Sequence, residues 1–357
     1  MSETIKLNGE FFNRENIAGL KTNYESTNSW ESAVYDFLVN WFDDSDFIVS
    51  HTSGSTGTPK EISLTKEAMR NSARMTNAFF GLDATKTALL CMPVSYIAGK
   101  MMVVRAIIGG FNLIVIEPKA NPFENINSTI DFTAITPYQL IHSIETLKSK
   151  MVRNIIVGGG HVNAKLEALV ADIPASMYET YGMTETASHI ALRCFNGNWK
   201  SDFFKVLDGV LVRQDERDCL VISAPHLSEN ELITNDIVEL KDSKSFRWLG
   251  RADSVINSGA LKIQPEQIEK KLEEFIPSNF FISSIPDDIL GNKIVLVIES
   301  EKLTPVKPSE LKAFFENNLS RYEIPKQVFY LPFFIYSESN KILRKETLAK
   351  AISLTTT

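Results

Sequence analysis

The stretch His51-Thr52-Ser53-Gly54-Ser55-Thr56-Gly57-Thr58-Pro59-Lys60 limits the local fold more than any other part of the chain. It lies between two short apolar runs, Phe47-Ile48-Val49 and Ile62-Ser63-Leu64, so the pattern is strand, tight loop, strand. Glycines at 54 and 57 let the backbone turn its N–H groups inward, and the Ser and Thr hydroxyls add donors. Such a loop either closes a polar hairpin or wraps a polyphosphate, with Lys60 supplying positive charge. It is not a P-loop of the Walker kind, which needs Gly-Lys-Ser/Thr opening a helix, because Thr58-Pro59 separates Gly57 from Lys60.

Apolar runs and helical periodicities alternate on either side of this loop. Trp30, Val34, Phe37, Leu38 and Trp41 predict an amphipathic helix over 30–43, and Thr65 is a plausible N-cap for a helix reaching Phe80. Strands are expected at 88–91, 113–116, 132–135 and 154–157, with helices at 97–108, 137–147 and 164–171. The alternation implies βαβ units and an α/β domain with a mostly parallel sheet, whose ligands gather beyond the carboxyl ends of the strands. Between Val206 and Trp248 the texture changes to short β-branched strands and polar turns, which predicts a small antiparallel, barrel-like subdomain. Gly250-Arg251-Ala252-Asp253 breaks that pattern, and the residues beyond it carry helices and strands of their own. The expected division is an N-terminal domain over 1–251 and a small α+β domain over 252–357.

A length of 357 residues suits two domains, and the formal net charge of −7 argues against a nucleic-acid partner, which needs clustered Lys and Arg. Three widely spaced cysteines indicate neither a disulfide framework nor a zinc site and fit a reducing cytoplasm. The polar stretch 1–16 lacks a signal-peptide core, and the most apolar run, 101–116, is interrupted by Arg105 and Asn112, so neither secretion nor membrane insertion is expected.

Five further constellations follow the first loop in order. Gly158-Gly159-Gly160 is either a turn before a helix or a surface without side chains on which a flat ring can lie. Tyr178-Glu179-Thr180-Tyr181-Gly182-Met183-Thr184-Glu185-Thr186 reads as a strand running into an N-capped helix. Thr234-Asn235-Asp236 and the run from Gly250 to Gly259 come next, and the last is the tail around Lys341 and Arg344.

Taken together and in this order, these motifs resemble those of the adenylate-forming superfamily: acyl-CoA synthetases, peptide-synthetase adenylation domains and luciferases. The resemblance implies that Thr52, Ser53, Gly54, Ser55, Thr56, Gly57 and Lys60 hold the phosphates of ATP. It implies that Gly158, Gly159 and Gly160 border the adenine and the acyl group, with Tyr178 and Glu179 in the nucleotide-binding set. Thr184 would contact the α-phosphate, and Glu185 would ligate Mg²⁺. Asp236 would hold the ribose hydroxyls with Arg251 nearby, Asp253 would be the pivot of the second domain, and Lys341 would act in catalysis. Asn235, Asn257 and Asn340 depart from the family pattern, the first and last standing where glycine is usual.

No acidic residue lies in Met92-Pro93-Val94-Ser95-Tyr96-Ile97-Ala98-Gly99, which disfavours an amino-acid substrate. Tyr96 stands in place of the histidine of aryl- and acyl-CoA ligases. The three glycines and Ala187-Ser188-His189-Ile190 make o-succinylbenzoate–CoA ligases of menaquinone biosynthesis the nearest resemblance. That implies an acid–thiol ligase taking ATP, Mg²⁺, coenzyme A and a small carboxylic acid. Tyr96, Gly182, His189 and Arg193 would line the substrate pocket, and His189, Arg193 and Lys100 are candidates for the acid's second carboxylate. Two alternatives are a ligase that loads a carrier protein and a truncated, non-catalytic nucleotide-binding homologue. Members of the superfamily usually carry more residues before the phosphate loop than the 50 here. A reduced amino-terminal subdomain is therefore expected, with an exposed apolar patch favouring a two-fold dimer.

Overall fold

The computed structural model describes residues 3–17, 30–51, 61–228, 230–259, 261–300, 306–336 and 342–355. The chain opens on a hairpin of β1 (Thr4–Leu7) and β2 (Glu10–Asn13), followed by α1 (Trp30–Phe42), which buries Val34, Phe37, Leu38 and Trp41. β3 (Phe47–His51) and β4 (Glu61–Thr65) pair antiparallel as a separate two-stranded sheet, the expected strand–loop–strand unit. The Thr65 hydroxyl then accepts the Ala68 N–H at 3.0 Å and opens α2 (Lys66–Phe80), which Gly81 closes at φ 62°.

β5 (Thr87–Leu90), α3 (Ile97–Gly109), β6 (Asn112–Val115), β7 (Ile130–Ile135), α4 (Pro137–Leu147), β8 (Val152–Val157), α5 (Ala164–Leu169) and β9 (Ser176–Gly182) follow. The strands β9, β8, β7, β5, β6 and β1 lie side by side and parallel. Thr136 and Gln139 form a capping box at the start of α4, and the Gln139 amide also donates to the Cys91 carbonyl at 2.9 Å. That bond ties the helix to the chain leaving β5. The segments after β5, β7, β8 and β9 emerge along one edge of the sheet, where the expected ligand crevice lies.

β10 (His189–Cys194), β11 (Phe204–Val206), β12 (Leu211–Gln214), β13 (Cys219–Ser223), β14 (Leu232–Asp242) and β15 (Ser245–Arg251) are antiparallel. They continue the same sheet, which reaches 13 strands, rather than standing apart from it. The join is made by β10–β11 and β11–β15, and the rings of Tyr181, Phe204 and Phe246 pack over it at 5.0–5.9 Å.

Beyond Arg251 come the hairpin β16 (Ile256–Ser258) and β17 (Leu261–Ile263), then α6 (Pro265–Leu272), β18 (Phe280–Asp287) and β19 (Gly291–Glu299). α7 (Pro308–Asn318), β20 (Gln327–Leu331) and α8 (Arg344–Thr355) complete the chain. β18, β19 and β20 form a three-stranded sheet. One set of apolar clusters is built from residues up to Trp248 and another from residues 256 onward. No helix among the described residues is long and apolar enough to cross a membrane.

Candidate active site

The glycine loop after β8 rests on a buried ionic network. Glu179 on β9 accepts the Val162 N–H at 2.9 Å and faces His161 Nδ1 at 3.1 Å through the same oxygen. Its other oxygen receives Arg193 Nε at 2.8 Å, and Arg193 Nη1 also reaches Glu167 at 2.7 Å. Burial alone would raise the Glu179 carboxyl, but His161 and Arg193 outweigh it and hold the group below the usual carboxylate range. Glu179 and Arg193 therefore brace the loop from beneath. Gly158 meets Thr180, whose hydroxyl would lie 2.6 Å from a Cβ there. Tyr178 sits edge-on to Phe79 and Phe80 beside the loop.

A second cluster gathers where β14 and β15 meet β9. Asp236 accepts the Tyr181 hydroxyl at 2.6 Å and the Trp248 indole N–H at 3.2 Å, one on each oxygen. Each carboxylate oxygen retains acceptor capacity, so two neighbouring hydroxyls of a sugar match what remains. Arg251 lies 3.6 Å from Asp236 and forks onto Asp253 with two bonds of 2.8 Å. That fork holds the Asp253 carboxyl below its ordinary range.

Thr184 and Glu185 occupy a short 3₁₀ turn between β9 and β10. Gly182 makes the turn possible, because a Cβ there would lie 2.4 Å from the Ser188 carbonyl oxygen. Glu185 is exposed, and its carboxylate makes no hydrogen bond or ion pair among the described residues. No group of three or more His, Cys, Asp or Glu among the described residues is arranged to hold a metal by itself. A lone free carboxylate suits Mg²⁺ carried on a nucleotide, since that ion takes one or two protein carboxylates and fills its shell with phosphate and water oxygens.

On the acid side, Tyr96 caps the start of α3 and is 40% exposed. Lys100 is buried, its amine donates to the Val49 carbonyl at 2.7 Å, and burial lowers its pKa. His189 is buried, and burial with the nearby charge of Arg105 pushes its pKa well below the ordinary value, so it is neutral. Arg193 is committed to Glu179 and Glu167. The group that stands out is Arg105, 1% exposed in the middle of α3. Its Nη2 donates to Ser188 Oγ at 2.7 Å, its Nη1 reaches the Met102 sulfur at 3.7 Å, and its Nε has no partner among the described residues. It makes no ion pair with a carboxylate among the described residues, and burial pushes its pKa down to about 9. The sequence signal was the lone charge in the apolar run 101–108, a feature that by itself names no ligand.

A cavity of about 240 Å³ also opens at the ends of β5 and β6, lined by Trp30, Val34, Met92, Ser95 and Ile116 among others. No charged side chain among the described residues lines its wall, so none of them there would partner a second carboxylate.

The phosphate-loop candidates Thr52, Ser53, Gly54, Ser55, Thr56, Gly57 and Lys60 lie outside the described residues, as does Lys341. The other expected residues fall in two groups by element. Gly158–Gly160, Tyr178, Asp236 and Arg251 gather around β8, β9 and β15, and Gly182, Thr184, Glu185, His189 and Tyr96 around the β9–β10 turn and α3.

Comparison with known proteins identifies the family. The family model described as AMP-binding enzyme matches residues 17–209, more than half of the chain. A 2-succinylbenzoate–CoA ligase from Geobacillus sp. (strain WCH70) is 26% identical over 340 residues, covering 85% of this chain and 69% of the relative. The crystal structure of an acyl-CoA synthetase (AMP-forming)/AMP-acid ligase II-like protein from Dyadobacter fermentans is 35% identical with a TM-score of 0.61, covering 93% of this chain and 98% of that one. The O-succinylbenzoate coenzyme A synthetase of Bacillus subtilis, solved with ATP and magnesium ion, superposes with a TM-score of 0.72 over 84% of this chain and 69% of that one. At 21% identity that last likeness speaks for the fold alone. On the extent of the family match, joined to a sheet and strand-end crevice of the kind the motifs require, the chain belongs to the AMP-binding enzymes.

Proposed function

We propose that this AMP-binding enzyme is an acid–CoA ligase whose acid is a small dicarboxylate of the o-succinylbenzoate type. The observation that carries the choice of acid is Arg105. A fully buried guanidinium without a carboxylate costs several kcal/mol, roughly, unless a ligand supplies the anion. Here the guanidinium reaches Ser188, three residues beyond Glu185, so an acid held at the Thr184–Glu185 turn could place its distal carboxylate on Arg105. Arg193 and His189 are weaker choices because one is already paired and the other is neutral. The names of the relatives support the same class of acid.

In the proposed reaction one oxygen of the acid's reacting carboxylate attacks the α-phosphorus of ATP in line. The bond to the bridging oxygen breaks and pyrophosphate leaves, giving an acyl-adenylate. The coenzyme A sulfur then attacks the acyl carbon, loses its proton to solvent and displaces AMP. The first step needs positioning and charge stabilisation rather than a covalent enzyme intermediate. Asp236, fixed by Tyr181 and Trp248, accepts the ribose hydroxyls, and the braced glycine loop with Tyr178 receives the adenine. Thr184 donates to an α-phosphate oxygen. Glu185 would hold Mg²⁺, which supplies charge neutralisation for the leaving pyrophosphate. Residues 252–357 act as a second domain that turns about Asp253 between the half-reactions.

The test is incubation with ATP, Mg²⁺, coenzyme A and o-succinylbenzoate, followed by mass spectrometry. AMP, pyrophosphate and the acyl-CoA thioester are expected together. Formation of ADP, or of AMP without thioester, would contradict the reading.

A further inference from the structure

We propose that His189 is a positioning residue that presets Arg105 for the distal carboxylate through a one-directional chain of hydrogen bonds including Ser188 and Thr76. The proposal rests on the reading of Arg105 given above and adds a mechanism by which that charge is aimed.

The direction of the chain is set at its Thr76 end and is compatible with its Arg105 end. At one end, a guanidinium can only donate, so Ser188 Oγ accepts from Arg105 Nη2 at 2.7 Å and keeps its own proton free. That proton is available to His189 Nδ1, 3.4 Å away. At the other end, the Thr76 hydroxyl gives its single proton to the Ser72 carbonyl at 3.2 Å. Thr76 Oγ1 can then only accept from His189 Nε2, at 3.2 Å. The Thr76 end selects the neutral tautomer with the proton on Nε2 and the lone pair on Nδ1, and the Ser188 proton is the matching donor for that lone pair. Burial and the neighbouring charge keep the ring in that neutral form.

All four participating side chains are enclosed, with Arg105 at 1%, Thr76 at 0% and His189 at 5% exposure and Ser188 partly buried. A second bond from the same helix fixes the main chain of Arg105, since Asn77 Nδ2 donates to its carbonyl at 2.9 Å. α2 thus holds the backbone of Arg105 directly and its head through the relay. Without His189, the Ser188 hydroxyl is no longer held in one rotamer, and the lone pair it offers to Nη2 is less firmly aimed. The remaining donors, Nε above all, then lose the orientation in which a carboxylate would find them.

The experiment measures KM for o-succinylbenzoate, for 4-oxo-4-phenylbutanoate, which lacks the ring carboxylate, and for ATP. His189→Leu should raise KM for the dicarboxylate about tenfold, the loss expected for one hydrogen bond aiming a charged group, and move KM for ATP by less than about twofold. Thr76→Val should give about a threefold rise, and Thr76→Ser, which keeps the acceptor, should restore the wild-type value. In an Arg105→Met background His189→Leu should add less than about twofold, because the residue it acts through is gone. The relay is refuted if His189→Leu affects both acids equally, if it keeps its full effect without Arg105, or if Thr76→Val and Thr76→Ser behave alike. Should His189→Leu fail to fold, the Thr76 pair decides by itself. If Arg105→Met discriminates between the acids as the wild type does, the reading of Arg105 falls and the relay with it. If Arg105→Met loses that discrimination and His189→Leu does not weaken it, only the relay falls.

Discussion

Arg193 and Glu179 stand directly opposite each other on adjacent antiparallel strands, with Nη2 2.6 Å from Oε2 and both side chains less than a tenth exposed. The pair carries the loop of three glycines, since the second Glu179 oxygen holds Val162 and His161. Removing one partner of a buried pair leaves the other charge uncompensated. Arg193→Met should therefore destabilise the protein by about 3–5 kcal/mol, read by denaturant unfolding. A variant of near wild-type stability that has lost only its preference among acids would show instead that Arg193 touches the acid.

Asp236 is held by two protein donors, and its remaining lone pairs are proposed to receive the ribose. Asp236→Asn keeps the shape but replaces one acceptor with a donor, and hydrogen bonds to charged groups contribute about 1.5–3 kcal/mol. KM for ATP should rise about ten- to a hundredfold, with KM for the acid little changed. A KM for ATP equal to that of the wild type would remove Asp236 from the nucleotide site.

Much of this geometry was readable beforehand where the deciding interactions are local. α4 spans Pro137–Leu147 as expected because Thr136, Pro137 and Gln139 mark its start within four residues, and α2 starts where Thr65 caps it. The elements that sequence reasoning passed over depend on distant partners. β1 lies beside β6, with Lys6 opposite Asn112, and nothing within residues 4–7 reveals that neighbour. α8 has a weak apolar face and is tied down by the Arg344–Glu269 pair at 2.8 Å, across 75 positions. The strands between 204 and 251 were visible as strands, but their membership of the main sheet depends on pairing between β10, β11 and β15. At the site, Arg193 looked available because its carboxylates arrive from α5 and β9, and Arg105 looked ordinary because lack of a partner is a property of three-dimensional packing.

Glu266, on α6, packs against the backbone at Gly250, next to Arg251, where the first part of the chain ends. A Cβ on Gly250 would lie 2.6 Å from its Oε2, and that oxygen has no hydrogen-bond partner among the described residues. Burial holds this carboxyl above the usual range. A folded-state pKa above the unfolded one means that folding disfavours the ionised form. That penalty is absent below the unfolded value, near about 4.3, and present in full once the pH exceeds the folded value. Glu266→Gln should thus melt higher than the wild type near neutral pH and equally at about pH 4. A lower melting temperature at neutral pH would show that the carboxylate is stabilising where it sits.

Lys341 lies outside the described residues, and its proposed role is to bridge the attacking carboxylate and the α-phosphate. Loss of a donor used mainly in the transition state costs about 10²–10³ in rate. Lys341→Ala should lose adenylate formation by about that factor and still convert preformed acyl-adenylate and coenzyme A to thioester. Equal loss in both half-reactions, or in neither, would refute the role and the domain reorientation proposed with it.

The central claim is that a buried cation on α3 selects a dicarboxylic acid for adenylation. It is tested most directly by kcat/KM for o-succinylbenzoate and 4-oxo-4-phenylbutanoate with the wild type and with Arg105→Met. The wild type should prefer the dicarboxylate by about a hundredfold, the scale expected when a buried charged group is left unpaired by the poorer substrate. Arg105→Met should reduce that preference to within a few fold, by losing activity on the dicarboxylate and not on its analogue. A preference that survives the substitution intact would contradict the account.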